Sequence, residues 1–147
     1  MVNVAVLGYG TIGSGVVEVL QTNTEVIAQR AGEEIAVKYI LDLRDFPGDP
    51  NADKIVHDYD IIDKDEDVQV VVCMGGVEPA YTFVKRALLN GRSVATSNKE
   101  LVAKHGAELI AIAHEKNINF LFEASVGGGI PIIRPLVQCL TADVIEE

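Results

Sequence analysis

Apolar residues change their period several times along the chain. Residues 2–7, VNVAVL, form an almost unbroken apolar run, the pattern of a strand buried on both faces of a parallel sheet. Ile12, Val16, Val17, Val19 and Leu20 then recur at helical spacing, and a further helical piece from Glu25 to Arg30 ends near Gly32. EIAVKYIL predicts a second strand, FPGDPN a turn, and KIVHDYDII a short edge strand. VQVVVCM predicts another central strand. GGVEPAYTFVKRALLNG predicts a helix with Pro79 near its first position, closed at Gly91, with Lys85 and Arg86 toward the end where the helix dipole favours cations. SVATS and INFLFEAS read as strands on either side of KELVAKHGAELIAIAHEKN, which gives one or two helices. Strands alternating with helices in this way predict an α/β fold, a doubly wound Rossmann-type parallel sheet, over residues 1–125. After Ser125 the character changes to VGGGIPIIRPLVQCL, so residues 126–147 read as a glycine loop and an apolar helix at the entrance to a second structural unit.

Composition narrows the classes. A chain of 147 residues with 48% hydrophobic content is enough for one packed domain. Twelve basic against 22 acidic side chains give a net charge of −10, which speaks against binding the phosphate backbone of a nucleic acid. Much of the excess lies between Asp42 and Asp67 and reads as a solvated face. The start, MVNVAVLGYG, shows no basic leader, and no apolar run reaches the length of a membrane span, so a cytoplasmic protein without membrane partners is expected. Cys73 and Cys139 lack zinc-site spacing, and Cys73, inside an apolar run, reads as a small buried residue. His57, His105 and His114 show no metal-ligand spacing and read as surface or loop residues.

In an open parallel sheet, ligands bind beyond the carboxyl ends of the strands. Here those ends are GYGTIG, DLRD, CMGG, TSNKE and EASVGGG, and the special residue types of the chain fall in them. Gly8, Gly10 and Gly13 have the G-x-G-x-x-G spacing between a strand and a helix. The first permits a tight turn, the second close approach of a pyrophosphate, and the third close packing of helix on sheet. At the end of the second strand, Asp42 suits the ribose hydroxyls of NAD, while Arg44 suits the extra phosphate of NADP. Both are present, and one of the two is expected to be only a solvated loop charge. Met74, Gly75, Ser97 and Lys99 would border the nicotinamide end. A lysine at the start of a helix opposes the dipole, which hints at a function for Lys99.

These segments together resemble homoserine dehydrogenase, in its N-terminal part. The resemblance is carried by GYGTIGSGVVEVL, MGGVEPAYTFVKRALLNGRSVATSNKELVAKHGAEL and above all FEASVGGGIPIIRPL, and it runs over essentially the whole chain. It implies reversible reduction of aspartate semialdehyde to homoserine with NADH or NADPH, on the route to threonine, isoleucine and methionine. It also implies a homo-oligomer. Gly10, Thr11, Ile12 and Gly13 match the cofactor turn, and Ser97 with Lys99 the nicotinamide and substrate border. Glu123, Val126, Gly128 and Ile130 match a loop that in the family holds a monovalent cation, usually sodium, chiefly through backbone carbonyls; a plain inter-domain hinge is the alternative. Family members continue into a substrate domain carrying the acid/base lysine, so the chain is expected to be a cofactor-binding fragment that binds nucleotide without turnover. Its truncated helix would expose Ile132, Ile133, Leu136 and Val137. Competing readings are a stand-alone NAD(H)-sensing regulatory module and another amino-acid or semialdehyde dehydrogenase.

Overall fold

In the computed structural model, which describes residues 1–127 and 129–135, the first apolar run is strand β1, Val2–Leu7. Its side chains alternate between two cores. Val4 and Val6 face one cluster with Val17, Val37 and Ile40, while Ala5 and Leu7 face the other with Val71, Val84, Leu88, Leu101 and Leu109. A strand apolar on both faces must be covered on both, and helices supply the cover. Helix α1, Thr11–Thr22, and helix α2, Thr24–Ala31, follow β1, and α2 closes at the left-handed Gly32. Strand β2, Ile35–Leu41, leads into the acidic stretch.

KIVHDYDII departs from the expected edge strand. Only Ile55–Val56 pairs, as β3, and Tyr59–Asp63 is a short helix, α3. Asp58 decides this, because its side chain accepts the Asp60 N–H and caps the turn. Tyr59 and Ile62 then both reach the core, which an alternating strand would not allow. Strand β4, Val68–Cys73, helix α4, Val77–Leu89, and strand β5, Ser93–Thr96, follow the sequence pattern. KELVAKHGAELIAIAHEKN is one helix, α5, Lys99–Lys116, closed by Asn117 in the left-handed conformation. INFLFEAS is shorter as a strand than expected: β6 is Phe120–Leu121, and Glu123–Ser125 turns into a 3₁₀ helix.

The six strands are all parallel, in the order β3-β2-β1-β4-β5-β6. The chain therefore winds outward from β1 to one edge, returns, and winds outward again to the other. The crevice between β1 and β4 is the point where the order reverses, the place where such sheets bind ligands.

The acidic stretch is not uniformly solvated. Arg86 bridges Asp60 and Asp63 at 2.7 and 2.6 Å, and the buried Arg92 holds Asp63 and the carbonyls of Asp63, Asp65 and Val68. Lys38 and then Tyr39 bond Asp65 and draw its carboxyl down to about 2. Lys85 and Arg86 are thus engaged by side chains, Lys85 by Glu108 at 2.6 Å, rather than only by the dipole of their helix.

Candidate dinucleotide-binding site

The glycine turn between β1 and α1 is shaped by three different constraints. Gly8 has a φ of +100°, which only glycine adopts freely. At Gly13 a Cβ would stand 1.8 Å from the Gly8 carbonyl oxygen, so the helix lies too close to the turn for any side chain. At Gly10, with ordinary extended backbone, a Cβ would meet no protein atom within 4 Å. Nothing among the described residues demands glycine there. The first turn of α1 has no side-chain cap and no acidic residue, so its amide end carries an uncompensated positive dipole facing the same space.

A cleft of about 430 Å³ opens beside this turn, across the carboxyl ends of β1, β2, β3 and β4. Gly8, Asp42, Arg44 and Gly75 line it together, as the positions of the strand ends require. Its wall is otherwise largely apolar, with Leu41, Leu43, Pro79, Ala80 and Phe83. His57 and Tyr59 also line it, and neither was marked by the sequence pattern as a site residue. His57 could not be, because it reaches the cleft only through the pairing of Val56 with Leu41.

Asp42 and Arg44 differ from the expectation that one would be a solvated charge, since each is the other's partner. Arg44 Nε and Nη2 donate to the two Asp42 oxygens at 3.0 Å each, and the Arg44 N–H adds a bond of 3.0 Å. Tyr9 N–H donates to Asp42 Oδ2 at 2.8 Å. The guanidinium, followed by these backbone donors, holds the Asp42 carboxyl well below the usual carboxylate range, against the opposing effect of burial. Only 10% of the Asp42 side chain is exposed, whereas 64% of Arg44 is. The outward-facing charge of the pair is the cation.

On the other side of β1, the ends of β4 and β5 are tied together. Thr96 Oγ1 donates to the Cys73 carbonyl at 2.8 Å, Ser97 Oγ to Met74 Sδ at 3.3 Å, and Asn98 Nδ2 to the Gly75 carbonyl. The structure thus sets Ser97 against Met74 and Asn98 against Gly75, with Lys99 exposed on the first turn of α5. Cys73 is buried, and burial pushes its thiol up to about 11, which fits a packing residue.

The remaining positions lie beyond β6. Glu123 accepts the N–H groups of Ile132, Ile133 and Arg134 at 2.6, 3.0 and 2.8 Å. Its carboxylate therefore caps the segment that follows. Val126 and Ile130 are exposed, and Gly128 lies outside the described residues, as do Leu136, Val137 and Cys139. Among the described residues no three His, Cys, Asp or Glu side chains gather as a metal site, and no helix is long and apolar enough to cross a membrane.

Comparison with known proteins adds to this geometry. The family described as "Homoserine dehydrogenase, NAD binding domain" matches residues 8–123. The homoserine dehydrogenase of Pseudomonas aeruginosa is 42% identical over 147 residues, covering 99% of this chain and 34% of that protein. The crystal structure of a homoserine dehydrogenase from Thiobacillus denitrificans is 38% identical with a TM-score of 0.86, covering 97% of this chain and 34% of that one. A hyperthermophilic archaeal homoserine dehydrogenase mutant in complex with NADPH is 28% identical with a TM-score of 0.75, covering 92% and 47%. The chain spans about a third of the length of the curated relatives it matches.

Proposed function

The chain belongs to the homoserine dehydrogenase family, and on that premise we propose that it holds NAD or NADP for reversible hydride transfer between the nicotinamide and aspartate semialdehyde, giving homoserine. The observation that carries this reading is the open space at Gly10: a glycine that packing among the described residues does not require, in front of an uncapped helix end, fits the close approach of a pyrophosphate. The bound dinucleotide supplies the hydride. The residues of this chain hold and orient it. Gly8, Gly10, Thr11, Ile12 and Gly13 would cradle the pyrophosphate, and the apolar cleft beside Leu41, Leu43 and Phe83 would take the adenine. Met74, Gly75, Ser97 and Lys99 would border the nicotinamide and substrate.

Because the Asp42 carboxylate already accepts from Tyr9 and Arg44, Arg44 is the group of that pair that meets the ribose. Both cofactors fit, with Arg44 adding affinity for the 2′-phosphate; the NADPH complex of the archaeal relative supports that choice. A homo-oligomer and a sodium ion are finer readings of the same family. For the ion, the Glu123 carboxylate is committed to three amides, so the backbone carbonyls of Glu123, Val126, Gly128 and Ile130 would be the ligands, and no step of the transfer runs through it.

Calorimetric titration tests the site. Gly10→Val should abolish binding of both nucleotides while the thermal midpoint stays near that of the parent; undiminished binding would overturn the placement of the pyrophosphate. Arg44→Ala should weaken NADP by about ten- to a hundredfold and NAD much less, since a bond to a charged group contributes about 1.5–3 kcal/mol. Equal losses for the two nucleotides would sink the assignment of Arg44.

A further inference from the structure

Tyr9 fills the variable position between Gly8 and Gly10, where the turn itself demands no particular side chain. It is nonetheless buried. All the hydrogen bonds it makes among the described residues run to one stretch, residues 42–51. Its N–H donates to Asp42 Oδ2 at 2.8 Å, and its carbonyl accepts a long bond of 3.5 Å from Arg44 Nη2. Its hydroxyl donates to Asp49 Oδ1 at 3.1 Å and accepts from Asn51 Nδ2 at 3.2 Å. Its ring meets Phe46 edge-on with centroids 5.0 Å apart, and the Arg44 guanidinium lies 5.0 Å from the Phe46 ring centroid. Asn51 is itself buried and accepts from Gln21 of α1 at 2.6 Å, so the loop is also held from the helix side.

A surface loop joining two strands ordinarily moves independently of its neighbours. Here the loop carrying Arg44 is fastened to the phosphate turn by one side chain, through a phenol, a ring edge and two backbone atoms. We propose that Tyr9 is a positioning residue for recognition of the ribose 2′ position: it locks the 42–51 loop, and Arg44 with it, to the glycine turn, so that pyrophosphate and 2′-phosphate are read by one rigid frame. This rests on the reading of Arg44 given above. A merely structural tyrosine would affect both nucleotides alike. A positioning one affects the phosphorylated nucleotide far more, because the 2′-phosphate depends on Arg44 much more than a ribose hydroxyl does, and a guanidinium recognises a phosphate through a fixed geometry.

The test is calorimetric titration of NAD and NADP into the full chain and its Tyr9→Leu, Tyr9→Phe and Asp49→Asn variants, with the thermal midpoint of each as a control. Tyr9→Leu removes both ring contact and hydroxyl, and should weaken NADP by about tenfold with NAD within about threefold. Tyr9→Phe keeps the ring against Phe46 and should recover much of that loss. Asp49→Asn, which weakens the acceptor of the phenol bond, should behave like Tyr9→Phe, each leaving NADP about threefold weaker with NAD unchanged, and these two carry the test should the leucine variant not fold. Equal losses for both nucleotides, or no change in either, would overturn the positioning role. Arg44→Ala separates the two failures: a selective NADP loss there with unselective losses at Tyr9 defeats this proposal alone, while unselective loss at Arg44 defeats the underlying reading and the proposal with it.

Discussion

At the end of β1 the chain enters α1 through Gly8 and Gly10, with no side chain capping the helix and no acid in its first turn. At the end of β5 it enters α5 through Asn98, which accepts the Leu101 N–H at 3.0 Å, and Glu100 follows. The two junctions have the same place in the topology, a parallel strand running into the helix that covers it. One helix end is finished by the protein's own side chain, and the other leaves its amides unpaired by any side chain. The surroundings differ in the same sense. The β1–β3 side carries Asp42, Arg44, Asp45 and His57 in one hydrogen-bonded group, while the β4–β5 side is tied by the neutral Thr96, Ser97 and Asn98, with Lys99 and Glu100 exposed on the first turn of α5. An anionic ligand group is matched by the uncapped end of α1 rather than by the capped end of α5, which is why we propose the pyrophosphate at the first junction and the nicotinamide at the second.

The difference is sharpest at Gly13, where the largest effect is expected. Its added Cβ would meet the Gly8 carbonyl, a backbone atom that cannot swing aside. Gly13→Ala should therefore cost about 3 kcal/mol or more of stability, at the upper end of what overpacking does. Gly10→Val, three residues earlier in the same turn, should cost little stability and all of the binding. Urea unfolding of the two variants reads this directly. A Gly13→Ala protein with the parent's midpoint would mean that helix and turn are not in the contact described.

Much of the fold was legible because the apolar period changes sharply at each glycine-rich junction. The exceptions have physical causes. KIVHDYDII mixes β-branched residues with Tyr59 and Ile62, and the capping carboxylate of Asp58 outweighs that propensity. Within the turn, Gly8 and Gly13 could be read from spacing, since each meets a backbone demand that follows from strand, turn and helix in succession; Gly10 follows from the spacing pattern alone. The Asp42–Arg44 pair could not. Two residues apart in a loop, their side chains meet on a carboxylate that the distant Tyr9 N–H also holds. Tyr9 itself was invisible, because a G-x-G pattern leaves its middle position unspecified, and its partners Asp49 and Asn51 are some forty residues away in sequence.

At the closed junction a smaller effect is expected. Asn98→Ala removes the α5 cap and the bond to the Gly75 carbonyl, and should cost about 1 kcal/mol, the usual loss for a missing cap. Binding of ADP, which reaches only the pyrophosphate and adenosine side, should stay within about twofold of the parent while the thermal midpoint falls. Loss of ADP affinity in that variant would break the division of labour between the two junctions.

The smallest effect lies with His57, on the charged side. Its Nδ1 is 2.7 Å from the Asp42 carbonyl and its Nε2 is 3.1 Å from Asp45 Oδ1. A neutral ring can donate to only one of these acceptors, so the other would face a lone pair; the imidazolium satisfies both. The Asp42 carbonyl bond, together with the Asp45 carboxylate, accordingly raises the ring's pKa above its ordinary value of 6.5. The sign of the stability effect follows. A base whose pKa is higher folded than unfolded adds stability that is complete below 6.5 and disappears as the pH rises through the folded value. The stability of the parent relative to His57→Gln should therefore be greatest in mild acid and shrink toward alkaline pH. The ring and the Asp45 carboxylate are both solvent-exposed, so the effect should be modest and should fade with added salt. An NMR titration of the ring in the parent and in Asp45→Asn isolates the carboxylate's share. A pKa at or below 6.5 in the parent, or one unmoved by the substitution, would show that the charged side of the cleft holds its cation less firmly than its geometry implies.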